Sequence, residues 1–199
     1  MEIGIVILAA GASARMGTPK QLLQWQGQTL LERTIGMAEA VHLGPVMVVL
    51  GANSEIILDQ LSANSFQWVK NEAWATGMGS SVSIGLEALL KQRPNLSAVL
   101  CLLVDQPLIT SKDLQLMVKT WQKENPPIVA AKYQDTVGVP ALFDHRVFSD
   151  LLALSGERGA KSVLSRYANE LIGVVLPAAA LDVDTPEAWR AFLKKHSGQ

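Results

Sequence analysis

The stretch that decides the fold is MEIGIVILAAGASARMGTPK, residues 1–20. Ile3 to Ala9 form a continuous apolar run, too short to cross a bilayer and about the length of a buried strand. The run breaks at Ala10-Gly11 into a loop of small residues that carries two cations, Arg15 and Lys20. A buried strand feeding such a loop opens an α/β unit. Leu8, Ala9, Ala10 and Gly11 let a ligand approach the backbone, whose free N–H groups can cradle phosphate oxygens. Arg15 offers a planar fork and Lys20 a compact charge, both suited to a triphosphate. The loop is neither of the two common phosphate motifs. Gly17 is followed by Thr18, Pro19 and Lys20 instead of Lys-Ser/Thr, and the closely spaced glycines of the dinucleotide fingerprint are missing. A plain βα turn with two solvated cations fits the same residues.

Outward from this loop, strand and helix patterns alternate. The periodicity predicts a helix over Thr29–Val41, a strand over Val46–Leu50 stopped by Gly51, and a helix over Ser54–Leu61. A short strand at Gln67–Lys70 and a helix at Ser80–Leu90 follow. Next come a strand at Ala98–Val104 ending at Asp105, and a helix capped by Ser111 that runs to about Lys123. IVAAKY (128–133) and VPALF (139–143) read as strands about a polar turn. Helices near Val147–Leu154 and Ala160–Tyr167, a strand at Leu171–Leu176 and a helix opened by Pro186 complete the chain. The expected fold is one three-layer, Rossmann-like α/β domain over residues 1–199. Its sheet is mostly parallel, with an antiparallel strand in the second half and helices on both faces. Ligands of such sheets bind at the carboxyl ends of the strands.

Composition narrows the function. With 199 residues, 49% hydrophobic, and 17 basic against 18 acidic side chains, the chain suits a compact globule with no basic surplus for nucleic acid. Cys101 is the single cysteine, so an internal disulfide is excluded and a reducing compartment is expected. The start has no basic segment of a secretory signal. Cytoplasmic residence without a membrane or nucleic-acid partner is the expectation.

Three further segments carry chemistry. Asp105 follows a very apolar run in CLLVDQP, where a carboxylate is costly unless hydrated, paired or bound to a cation. A hard oxygen ligand there suits Mg2+, which takes only one or two carboxylates; a strand-end turn cap is the plainer alternative. In DVDTPEAW, Asp182 and Asp184 alternate along an extended stretch and face one side, while Thr185 and Pro186 read as a helix start that Asp184 or Thr185 caps. NEAWATGMGSS places Asn71, Gly77, Ser80 and Ser81 between a strand and a helix. The serines read as helix caps, and backbone groups, a serine hydroxyl and the Asn71 amide can equally read a base edge. Trp74 reads as packing.

LAAGASARMGTPKQLL resembles the signature of the nucleotidyltransferase superfamily that includes sugar-phosphate and cofactor nucleotidyltransferases. Its form is similar to the molybdenum cofactor cytidylyltransferases of the MobA-like group, and the likeness runs from LAAG to DVDTPE. The resemblance implies a nucleotide-diphospho-sugar transferase type of fold. It implies Asp105 and Asp184 as Mg2+ ligands, Lys20 and Arg15 as the cations that neutralise the triphosphate and the departing pyrophosphate, and Gly77 and Ser81 beside the base. The segment SGERGAKSVL resembles the cytidylyltransferase subgroup, with Glu157 where an aspartate is expected; Arg158 and Lys161 are its candidates for the acceptor's phosphate. Related guanylyltransferases read Leu-Ala-Gly-Gly where this chain has Leu8-Ala9-Ala10-Gly11. The Ala10 methyl narrows the base pocket, which favours CTP, and the implied acceptor is the molybdopterin form of molybdenum cofactor. Alternatives are a guanylyltransferase, a cytidylyltransferase for another phosphorylated alcohol such as methylerythritol phosphate, and a non-catalytic cofactor-binding chaperone. Handover to a molybdoenzyme or its maturation factor is compatible with catalysis.

Overall fold

The computed structural model describes residues 1–61, 65–156 and 159–196. The apolar run of the opening sequence is β1 (Ile3–Ala9), buried at every position. It lies between β4 (Val46–Leu50) and β6 (Ala98–Leu103), parallel to both. A strand with parallel neighbours on each side must be apolar on both faces, which is why β1 reads as a run and not as an alternation. The seven-stranded sheet has the order β5-β4-β1-β6-β8-β7-β9, with β5 at Trp68–Lys70, β7 at Ile128–Tyr133, β8 at Thr136–Asp144 and β9 at Ile172–Val175. Only β8 runs antiparallel to its neighbours β6 and β7; β9 returns parallel to β7. This is the mostly parallel α/β sheet with an antiparallel strand in the second half.

Helices cover both faces. On one side α1 (Leu30–Ala40), α2 (Ser54–Leu61) and α4 (Ser111–Glu124) pack with Ile5, Ile7, Leu100 and Leu102. On the other, α3 (Met78–Gln92), α5 (Phe148–Leu152) and α6 (Ala160–Arg166) pack with Val6, Val99, Cys101 and Phe143. Helix α7 (Pro186–His196) closes a third cluster in which Met16, Val183 and Phe192 meet. No helix among the described residues is long and apolar enough to cross a membrane.

Local chemistry sets the helix starts, and two differ from expectation. Thr110, not Ser111, caps α4: its hydroxyl and the Asp113 carboxylate form a reciprocal capping box. Helix α3 begins at Met78 behind Gly77, whose φ of 125° few side chains tolerate, and it has no side-chain cap. Ser80 and Ser81 therefore lie inside its first turn, and Ser80 instead donates back to the Gly77 carbonyl at 2.9 Å. The helix expected at 147–154 is a 3-10 turn (His145–Val147) followed by the shorter α5. A further hairpin, β2 (Gln24–Trp25) with β3 (Gln28–Thr29), is too short to leave a periodic signal in the sequence.

Candidate functional site

The carboxyl ends of β1 and β6 lie side by side, so the loop after Ala9 and the acid after the apolar run of β6 meet at one rim of the sheet. The DVD segment is drawn to the same place by a backbone bond, Val183 N–H to the Asp105 carbonyl at 3.0 Å. Val183 is wholly buried beside Met16 and Phe192, which leaves Asp182 and Asp184 on the opposite side of the strand-like segment. Met16 also pins the loop that carries Arg15.

The result is a charge cluster built from three distant segments. The Lys20 ammonium donates to Asp105 Oδ2 and to Asp184 Oδ1, the latter at 2.9 Å. Arg15 reaches Asp184 Oδ2, also at 2.9 Å. Both oxygens of Asp184 are thereby engaged, and the cap of α7 is the Thr185 hydroxyl, which accepts the Ala188 N–H. Desolvation pulls the Lys20 pKa down, but attraction and hydrogen bonding to Asp105 and Asp184 outweigh it and the net shift is upward. For Asp184, desolvation pushes up while Lys20 and Arg15 pull down, and the net shift is downward. Asp105 is 8% exposed, and its Oδ1 is buried without a hydrogen-bond partner among the described residues. Such an orphan oxygen fits a cation ligand. Among the described residues no three His, Cys, Asp or Glu side chains form a ready-made metal cage. Two carboxylates supplemented by water and phosphate oxygens are nevertheless the usual provision for Mg2+.

Beside this cluster is a cavity of about 210 Å³ lined by Leu8, Ala9, Ala10 and Gly11, by Lys20 and Asp105, and by Gly77 and Ser81. It is also bounded by Gln21, Trp74 and Met78, which the sequence did not single out as ligand contacts. Gln21 is 1% exposed, and its amide donates to the Ala9 carbonyl at 2.6 Å and the Gly11 carbonyl at 3.2 Å. With these carbonyls tied down, the small-residue loop is held in one conformation. Trp74 is packing and wall together: a Cβ on Gly51 would lie 2.7 Å from the Trp74 Cβ and 2.5 Å from the Ala10 carbonyl oxygen. The uncapped N-terminus of α3 faces this cavity through Gly77 and Met78 and brings the positive end of the helix dipole.

Two expected contacts lie elsewhere. Asn71 is fully buried behind the wall; its amide donates to the Ser80 and Ser81 hydroxyls at 2.9 Å, and its carbonyl accepts the Ala73 N–H. With those groups engaged it positions Ser81 and does not itself line the cavity. Lys161 lines a separate groove of about 410 Å³ with Lys132, Asp135 and Thr136 on the α6 face. Arg158, like Glu157, is outside the described residues. The adjoining Gly159 approaches the cavity wall, since a Cβ there would lie 3.3 Å from the Met78 Cβ.

Known proteins resemble this chain in sequence and in fold. The family profile described as "MobA-like NTP transferase domain" matches residues 5–171. The protein named nicotine blue oxidoreductase, from Paenarthrobacter nicotinovorans, is 30% identical over 92% of both chains. The bifunctional protein GlmU of Legionella pneumophila subsp. pneumophila is 29% identical over 88% of this chain, which spans only 34% of that relative's length. Among solved structures, Rv0371c from Mycobacterium tuberculosis H37Rv superposes with a TM-score of 0.82 at 27% identity, over 97% of each chain. A second structure of that protein is a complex with manganese, with a TM-score of 0.79 at 25% identity over 98% of this chain and 99% of that one.

Proposed function

The chain belongs to the MobA-like NTP transferase family, and from that premise we propose that it transfers CMP from CTP to the molybdopterin form of molybdenum cofactor, with release of pyrophosphate. The observation that carries the reading is Lys20, held between Asp105 and Asp184 at the edge of the cavity formed by the small-residue loop and the start of α3.

On this reading the cytosine lies toward Gly77, Ser81 and Trp74, with the Ala10 methyl limiting its size. The α3 N-terminus and the loop N–H groups meet phosphate oxygens. Lys20 and Arg15 balance the charge of the triphosphate and stabilise the pyrophosphate as it leaves. A phosphate monoester has its second pKa near about 6, so the acceptor oxygen is already anionic at neutrality and needs no protein base. The chain's part is then to hold that oxygen in line with the α-phosphorus and the departing pyrophosphate. Asp105 and Asp184 fit as holders of Mg2+, which when bound supplies charge neutralisation at the phosphates. The proposed setting is the cytoplasm, with a molybdoenzyme or its maturation factor as the receiver of the product.

The test is pyrophosphate release from each of the four nucleoside triphosphates with Mg2+, with and without molybdenum cofactor. Release that requires the cofactor and favours CTP is expected. A preference for GTP, or no release with any triphosphate, overturns the proposal. A second reading, an oxidoreductase, rests on the 30% identity to nicotine blue oxidoreductase over 92% of both chains. Under that reading no triphosphate yields pyrophosphate in this assay.

A further inference from the structure

At the rim where Asp105 and Asp184 meet, β6 and β8 diverge. Their ladder runs from Ala98–Asp144 to Cys101–Ala141, and opposite Ala130 and Ala131 of β7 the register jumps from Ala141 to Gly138. Val139 and Pro140 therefore form a bulge in β8, and the Val139 carbonyl lies past the end of the ladder with β6. Gln106, the residue after Asp105, supplies a donor there. Its side-chain amide donates to the Val139 carbonyl at 3.0 Å and to the Ala179 carbonyl, also at 3.0 Å. Gln106 is 5% exposed and Ala179 is wholly buried, so the bonds are shielded from water.

The second bond bears on the charge cluster. Ala179 belongs to the 3-10 turn Pro177–Ala180, which leads into the DVD segment. At the far end of that stretch the Val183 N–H donates to the Asp105 carbonyl at 3.0 Å. Residues 179 and 183 are thus tied to the adjacent residues 106 and 105. One tie leaves a segment free to pivot; a pair of ties fixes its direction as well. Asp184 follows the second tie directly, and its carboxylate meets Lys20 and Arg15, each at 2.9 Å. The Gln106 Oε1 is buried without a hydrogen-bond partner among the described residues. A buried acceptor left unpaired is costly, and an apolar side chain of similar size would avoid that cost. What glutamine adds at this position is therefore its amide donors. Gln106 lies outside the lining of the nucleotide cavity.

We infer that Gln106 is a positioning residue of the proposed transferase: through the Ala179 carbonyl it fixes the backbone ahead of Asp184 and so sets where that carboxylate stands relative to Asp105. The inference rests on the transferase reading and deepens it, naming the side chain that couples the two halves of the metal site. A divalent cation takes its oxygens at short, defined distances, so slack in one carboxylate is felt as lost affinity.

The test is Mn2+ binding to the full chain in the presence of CTP, followed by electron paramagnetic resonance, for wild type, Gln106→Met, Asp184→Asn and the double variant. Methionine keeps the length of the side chain and removes the donors. Gln106→Met is expected to weaken Mn2+ about tenfold, the low end of what supporting residues of a metal site contribute. It lowers kcat for pyrophosphate release and leaves the KM for CTP unchanged. Its CTP affinity in EDTA equals that of wild type, which shows that the fold and the nucleotide cavity survive. In the Asp184→Asn background the same substitution costs no further Mn2+ affinity, because the charge it positions is already gone. Gln106→Asn, one methylene shorter, gives the same pattern and serves where the methionine variant does not fold. Wild-type Mn2+ affinity in a folded Gln106 variant, equal losses with and without the Asp184 carboxylate, or no Mn2+ binding by wild type overturns the inference. A loss confined to the chain with Asp184 intact, without pyrophosphate release from any triphosphate, upholds the positioning role and sinks the transferase reading. Pyrophosphate release from CTP with wild-type kcat and Mn2+ affinity in Gln106→Met does the opposite.

Discussion

Replacing Lys20 by Met removes one ammonium and retains most of the side-chain volume, so it isolates the charge at the centre of the cluster. Lys20 is 18% exposed and Asp105 12% by side chain, whereas Asp184 is 37% exposed. The Asp105 pair is thus largely shielded and the Asp184 pair is screened by water. Without Lys20, Asp105 has no side-chain hydrogen-bond partner on either oxygen among the described residues. Breaking a buried pair costs about 3–5 kcal/mol, and partial exposure here reduces the expected loss of stability to about 2–3 kcal/mol. The pH dependence follows from the shifts. Asp184 is lowered, so its stabilisation is present above its ordinary value of 3.8 and is lost as pH falls through the native value. Lys20 is raised, so its stabilisation is present below 10.5 and is lost as pH rises through the native value. The deficit of Lys20→Met is therefore widest between those limits and closes toward acid. On activity, loss of a cation that stabilises the leaving pyrophosphate lowers turnover about 10²- to 10³-fold, or about 2.7–4 kcal/mol in the barrier. Urea unfolding from pH 3 to 9 and pyrophosphate release at saturating CTP measure the two. Wild-type turnover, or a stability deficit unchanged between pH 3 and 7, refutes the reasoning.

Asp105→Asn keeps the shape but removes the charge, and is expected to weaken Mn2+ binding in the presence of CTP about tenfold or more by electron paramagnetic resonance titration. Gly51→Ala drives a methyl against the Ala10 carbonyl and Trp74; a stability loss of about 1–3 kcal/mol in urea and a raised KM for the nucleotide are expected. Asp144 is 2% exposed and takes hydrogen bonds from Trp121 and Arg146, so Asp144→Ala costs about 2–4 kcal/mol by urea unfolding. Despite the upward push of burial, the Arg146 bonds lower the Asp144 pKa; the wild-type advantage therefore shrinks as pH falls through that native value. Cys101 is fully buried with its thiol pushed up to about 12. It resists iodoacetamide in the native chain and reacts on unfolding, as peptide mass analysis would show.

The alternation of apolar strands and amphipathic helices was legible in the amino-acid order, because a period of 2 or 3.6 is a property of neighbours along the chain. It set the bounds of β1, β4 and α2 and the α/β class. The small-residue loop and the acid after β6 could also be marked, since a charge directly after a buried strand stands out locally. Other features depend on groups distant in the chain. Lys20 and Asp184 are 164 residues apart, and their meeting follows from the order of β1 and β6 and the bond from Val183 to Asp105. Asn71 and Gln21 are polar residues whose burial no periodicity reveals, because their partners are carbonyls and hydroxyls supplied by other turns. Trp74 and Met78 became walls of a cavity only when the start of α3 settled beside β1. Local pattern determined which segments exist; through-space closure of the sheet decided which of their side chains share a site.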